Sequence, residues 1–130
     1  MADSEGVLRS FFEAISRQDF GAVDALLDDE FEIHAAGRSP FAGTLSKREW
    51  FALMPGMMAM TNGMLHADVH EVLGKEEHAV ALLTMSAERN GCPFEWLRVN
   101  VAHVRDGRIV AMWIYEQDLY AYDAFWSADA

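Results

Sequence analysis

The chain holds a single cysteine, Cys92, in 130 residues. One thiol forms no internal disulfide and no cysteine metal cage. Basic residues are scarce as well: ten Lys and Arg stand against 21 Asp and Glu, a formal net charge of −11. An acidic chain without a basic cluster repels phosphate backbones and anionic lipid, so neither nucleic acid nor a membrane surface is expected as a partner. No apolar run approaches the roughly 20 residues of a membrane helix. The acidic start MADSEGVL lacks the basic opening of a secretory signal, which leads us to expect a cytoplasmic protein. Repeats, linkers and low-complexity tracts are missing too, so residues 1–130 are expected to form one domain.

What is present is material for a core, since 52% of the residues are apolar. Val7, Leu8, Phe11, Phe12 and Ile15 recur at helical spacing and predict a helix over 3–17, capped by Asp3 or Ser4. A short second helix is expected over about 19–27, with Asp19 as its cap. FEIH follows as a strand, with Phe31 and Ile33 on one face and Glu32 and His34 on the other. Gly37, Pro40 and Gly43 mark a loop from Ala35 to Leu45. Ser46 with Glu49 makes a capping box for a third helix, which Pro55-Gly56 is expected to kink or end. Met54, Met57, Met58, Met60 and Met64 crowd this region, and such adaptable side chains suit both a core and a pliable lid.

The remainder is strand-like. Residues 65–73, 79–89, 94–105 and 108–117 are separated by Lys75-Glu76-Glu77, Asn90-Gly91 and Asp106-Gly107. Helices followed by strands predict an α+β domain, its helices on one face of a curved antiparallel sheet. A two-residue turn at Asp106-Gly107 sets a register in which Val104 faces Ile109, His103 faces Val110 and Val101 faces Met112. The inner face then carries Leu97, Val99, Val101, His103, Val110, Met112, Ile114 and Glu116. The outer face carries Trp96, Arg98, Asn100, Trp113 and Tyr115, a mixture that predicts a homodimer interface.

His34 is the foremost candidate acid or base, because an imidazole titrates near neutrality and loops often carry function. The plainer alternative is a strand-end residue bonded to the following loop. His103, facing inward, reads first as a satisfied core residue. Glu116 and Asp118, near the end of the last strand, read equally as pocket-mouth carboxylates of raised pKa and as solvated ones. His66, Asp68 and His70 alternate about 7 Å apart on one flat strand face and His78 starts the next strand; that spacing is too wide for one ion to bind all three, so no metal site is expected.

The paired helices ending in LLDDEFEIH, the HAAGRSPFAG loop, the hairpin HVRDGRIVAMW and the tail YEQDLYAYDAFW together resemble the nuclear transport factor 2-like superfamily. Within it, the chain is similar to the SnoaL-like group related to polyketide cyclases and ketosteroid isomerases. The resemblance covers essentially the whole chain and implies a cone-shaped sheet wrapped around three helices and an apolar pocket. It also implies frequent dimers and catalysis without a cofactor. That pocket would be lined by Phe11, Trp50, Met54 and Met58 from the helices, and by Leu97, Val99, Val101, His103, Met112 and Ile114 from the sheet. His34 takes the place of the steroid isomerases' proton-shuttling Asp, and Asp118 lies near the cyclases' acid/base Asp. The isomerases' oxyanion donors, a first-helix Tyr and a late-strand Asp, correspond to Phe11 and Val101, which cannot donate. An epoxide hydrolase needs an Arg inside the pocket, whereas this register sets Arg98 outside. The expected function is cofactor-independent acid/base chemistry on an apolar or polycyclic small molecule, by isomerisation, cyclisation, dehydration or epoxide opening. The alternative is a non-catalytic ligand-binding or dimerising module.

Overall fold

The structure is a computed structural model and describes residues 3–127. Helix α1 (Ser4–Ser16) begins where Asp3 accepts a bond from the Gly6 backbone N–H, and its stripe of Val7, Leu8, Phe11 and Ala14 is buried. Helix α2 (Phe20–Leu26) starts at Asp19, whose carboxylate accepts from Ala22 N at 3.1 Å, and buries Val23. Strand β1 (Leu27–Ala35) follows directly, with Phe31 and Ile33 buried.

The capping box forms ahead of helix α3 (Lys47–Met60): Glu49 N donates to Ser46 Oγ at 3.1 Å, and Ser46 N donates to Glu49 Oε1 at 2.9 Å. These bonds favour the ionised form, so the Glu49 carboxyl sits below its usual pKa. Lys47 Nζ donates to the carbonyls of Asp24 (3.2 Å) and Leu27 (3.0 Å), fixing the start of α3 against the end of α2. The helix does not end at Pro55-Gly56 but runs on to Met60. Pro55 is exposed, so a carbonyl left without its N–H partner there is within reach of water.

Four further strands, β3 (His66–Lys75), β4 (His78–Arg89), β5 (Cys92–Arg105) and β6 (Arg108–Glu116), form consecutive antiparallel pairs. Asn90-Gly91 and Asp106-Gly107 both have φ > 0 at their two residues, the backbone of a type I′ turn. The first turn of α1 crosses β3 closely. Ser4 Oγ donates to the His78 carbonyl at 2.9 Å, and a Cβ on Gly74 would stand 2.7 Å from Glu5 N, so only glycine fits there.

Three features depart from expectation. Inside the predicted loop, β2 (Gly43–Ser46) pairs with β1, giving a sheet of order β2-β1-β6-β5-β4-β3. β1 runs parallel to β6, so this curved, unclosed sheet is mixed rather than wholly antiparallel. The long path through α3 and four strands lets the chain return to the edge of β1 in the same direction. The tail is a fourth helix, α4 (Leu119–Ser127), with Tyr122 and Trp126 buried. The 36–41 loop docks on it. Arg38 N donates to Asp123 Oδ2 at 2.9 Å, Phe41 packs edge-on to Trp126 at 4.8 Å, and Gly37 adopts φ +108° against Asp123.

The hairpin register needs the largest correction. Val104 pairs with Ile109, as the turn dictates, but His103 pairs with Ala111 rather than Val110. Val110 is an extra residue in β6, a bulge that shifts every later pair by one. β5 is therefore inverted beyond it. Trp96, Arg98, Asn100, Ala102 and Val104 face the helices, and Leu97, Val99, Val101 and His103 face out. Among the described residues, no helix is long and apolar enough to cross a membrane.

Candidate functional site

The helices and the inner face of the sheet enclose a cavity of about 260 Å³. Phe11, Phe12 and Ile15 of α1 form one wall, and Trp50, Leu53, Met54, Met57 and Met58 of α3 form its roof. Met112, Ile114, Arg98 and Asn100 come from the sheet, and Tyr122 comes from α4. Because Leu53, Met54, Met57 and Met58 fall at helical spacing, one side of α3 is turned to the cavity. The tail thus borders the cavity through Tyr122.

The inversion of β5 decides what this cavity contains. Leu97, Val99, Val101 and His103, expected in its lining, lie on the opposite face. Leu97 is 47% exposed, and His103 stacks on His78 at 4.9 Å with Glu77 Oε1 at 3.7 Å. Arg98 and Asn100 take their place, while Phe11, Trp50, Met54, Met58, Met112 and Ile114 do line the cavity. With Asn100 inside rather than Val101, the late strand supplies an amide, which can donate a hydrogen bond.

Arg98 is held from three sides. Its Nε lies 2.9 and 3.1 Å from the two carboxylate oxygens of Glu116, and its Nη2 lies 2.6 Å from Glu116 Oε2. The guanidinium sits 5.7 Å over both the Trp96 and Tyr122 rings. Trp96 Nε1 donates to the same carboxylate at 3.0 Å. The Glu116 side chain is 4% exposed and that of Arg98 16%, so this is a buried, bidentate charge pair. Burial works to lower the Arg98 pKa, but hydrogen bonds and charge from Glu116, with Tyr122, more than offset it and hold the guanidinium charged. Burial pushes the Tyr122 hydroxyl above its ordinary value, against the pull of Arg98, so it stays protonated at neutral pH.

The predicted acid and base groups are placed apart. His34 is not in the cavity wall. It stacks on Trp113 on the outer face (5.4 Å, 16° between planes), its Nδ1 3.0 Å from Thr44 Oγ1 and its Nε2 3.7 Å from Glu32. Alternation sends it there, since Ile33 beside it points in. Asp118 is exposed and accepts from Ala121 N at 3.0 Å, at the start of α4. Glu116 borders a smaller cavity of about 100 Å³ with Ala35, Leu119 and Tyr122. Among the described residues lining the larger cavity there is no carboxylate; its ionisable members are His66, Arg98 and Tyr122. His70, on the strand with His66 and Asp68, contacts Thr84 Oγ1 at 2.6 Å, and no group of three metal-binding side chains gathers among the described residues.

Arg98, Asn100 and Tyr122 were not expected in the cavity wall. Both faces of β5 are rich in apolar residues, so hydrophobicity could not orient it. The only signal lay in β4, where Ala79, Ala81, Leu83, Met85 and Ala87 alternate as the buried face and, through the pairing, select Ala102, Asn100, Arg98, Trp96 and Phe94.

Residues 8–112 match the family model described as the SnoaL-like domain. Among solved structures, Bal32a from a soil-derived mobile gene cassette is similar over 93% of this chain and 94% of its own, at 26% identity and TM-score 0.87. A cystatin-like-fold protein from Xanthomonas campestris is similar over 96% and 98%, at 21% identity and TM-score 0.89. IdmH from Streptomyces antibioticus, a candidate polyketide cyclase, is similar over 92% and 97%, at 19% identity and TM-score 0.76. No match is found among curated proteins.

Proposed function

The chain belongs to the SnoaL-like domain family, and from that premise we propose that it binds an apolar small molecule in the cavity under α3. One observation carries the reading: the wall is aromatic and methionine-rich, with a few polar groups among which are Arg98, Asn100 and Tyr122. A mostly apolar cleft with a few convergent polar groups is the usual form of a small-molecule site. Since Glu116 already balances Arg98, a neutral ligand suits the cavity better than an anion. Its volume, near the lower end of the roughly 300–1,000 Å³ of ligand sites, suits a compact molecule.

Titration of the intrinsic tryptophan fluorescence with 2-methylnaphthalene tests this. Saturable one-to-one binding is expected, and Ile114→Trp, which fills the cavity, should abolish it. Failure of the native protein to saturate up to the solubility limit would refute the reading.

A second reading is turnover of the same ligand by cofactor-independent acid/base chemistry, as an isomerase, cyclase, dehydratase or epoxide-opening enzyme. It is favoured by the character of the polar groups: Arg98, Asn100 and Tyr122 are all donors, the type that stabilises a developing oxyanion. Proton transfer would then fall to Tyr122 or His66, the groups in the cavity wall able to exchange a proton, since the His34 imidazole lies on the other side of the sheet.

A homodimer is also proposed, on the outer face. Its apolar members are Leu82, Leu97 and Tyr115, respectively 39%, 47% and 56% exposed, with Trp113 beside them. Trp96 and Arg98 leave the expected interface because they face inward. Sedimentation showing a monomer at tens of micromolar would exclude this dimer.

A further inference from the structure

Asn100 is 3% exposed and belongs to the cavity wall. Its Oδ1 has no protein partner, and its Nδ2 reaches only the Met112 thioether, at 3.5 Å. A thioether is a weak acceptor. Its cross-strand neighbours on the inner face are Ala81 and Ile114, which offer it no side-chain polar atom. Buried amides are nearly always satisfied, because an unpaired one forfeits its hydration without return. A leucine has the same branched shape, with slightly bulkier methyl ends beside the cavity, and carries no such cost. This amide therefore lines the cavity with its acceptor unmatched and its donors bonded only to a thioether.

We propose that Asn100 is the specificity-determining residue of this cavity. Its ligand is a neutral, largely apolar molecule that presents a hydrogen-bond donor beside an acceptor, as a lactam, an imide or an enol next to a carbonyl does. The assignment rests on the reading of the cavity as a ligand site. A primary amide carries C=O and NH₂ side by side, and its best complement reverses that order, so that two parallel bonds form at once. Arg98 lies two residues away on the same face, and its charge is met by Glu116. The ligand therefore needs no charge of its own, and an ionised group would have to be desolvated without a free counter-ion.

Calorimetric titration with three probes tests the assignment: 2-quinolone (N–H beside C=O), 1-methyl-2-quinolone (the donor capped) and 2-methylnaphthalene (neither group). The native protein should bind 2-quinolone at least about tenfold tighter than its methylated form, the factor that one well-made hydrogen bond supplies. Asn100→Leu should bring that ratio close to one. A ratio near one in the native protein overturns the proposal without any variant. So does a tenfold ratio that survives in Asn100→Leu. If none of the probes binds the native protein, the ligand-site reading itself falls, and this assignment with it. Without any probe, Asn100→Leu should melt above the native protein, because an unpaired amide has been removed. A lower melting temperature would mark the amide as a satisfied structural group and would equally overturn the proposal.

Discussion

Removing the Glu116 carboxylate is the perturbation that most directly probes the polar end of the cavity. Glu116 is 4% exposed and accepts from Arg98 Nε and Nη2 and from Trp96 Nε1. In Glu116→Ala the guanidinium, 16% exposed, keeps its charge, while Tyr122, whose hydroxyl lies 3.5 Å from Nη2, is a neutral partner only. Breaking one side of a buried pair costs about 3–5 kcal/mol, mostly as the penalty of the orphaned charge. The stranded indole N–H places this case toward the upper end of that range. With an m-value of about 2 kcal/mol/M, the urea midpoint should fall by about 2 M. The double variant Arg98→Met, Glu116→Leu removes both charges and should recover most of the loss, since well-packed apolar substitutes for a buried pair are often neutral or better. Equilibrium urea unfolding followed by tryptophan fluorescence measures all three proteins. A loss below about 1 kcal/mol in Glu116→Ala would be the behaviour of an exposed pair and would refute the argument that the site is desolvated.

Other perturbations have equally definite outcomes. His34→Ala should leave 2-methylnaphthalene binding unchanged, because the imidazole packs on Trp113 outside the cavity; a tenfold loss in titration would contradict that placement. Gly37→Ala should destabilise the protein by about 1–3 kcal/mol in thermal unfolding, since φ +108° is strained for alanine and its Cβ would stand 2.6 Å from Asp123 Oδ1. Phe31→Ala, in a fully buried β1 position, should cost about 3–5 kcal/mol, and a loss under 1 kcal/mol would show that the site collapses around the gap. The raised Tyr122 pKa means that the folded state holds this proton more tightly than the unfolded state does. Stability should therefore be intact below the ordinary tyrosine value of 10.0 and decline as pH rises from there through the folded value; Tyr122→Phe should flatten that decline.

The first three helices were legible in the chain because their signals are local. Asp3, Asp19 and the Ser46/Glu49 box each satisfy backbone groups within three residues, and an apolar stripe every third or fourth residue can face only one way. The type I′ turns were legible for the same reason, since Asn-Gly and Asp-Gly tolerate φ > 0. The outward placement of His34 was also implicit: with Phe31 and Ile33 inward, strand alternation leaves Glu32 and His34 no other face.

The contents of the cavity were not legible. A single extra residue, Val110, inverts the whole of β5 beyond it, and nothing within the hairpin marks the bulge. Arg98 would be too costly to bury alone, and it is inside only because Glu116, 18 residues away, reaches it through the shifted register. The approach of β6 alongside β1 and the docking of α4 on the 36–41 loop likewise depend on contacts between distant segments. The sequence by itself determined the first three helices and the five longer strands, their caps and turns, and the α+β class, because those rest on short-range bonding and periodicity. The tertiary structure alone decided which side of β5 faces the cavity, and hence that Arg98, Asn100 and Tyr122 rather than His34 form its polar end. Side-chain alternation has a period of two, so one residue of slip, set by pairing with a distant strand, exchanges the inside for the outside.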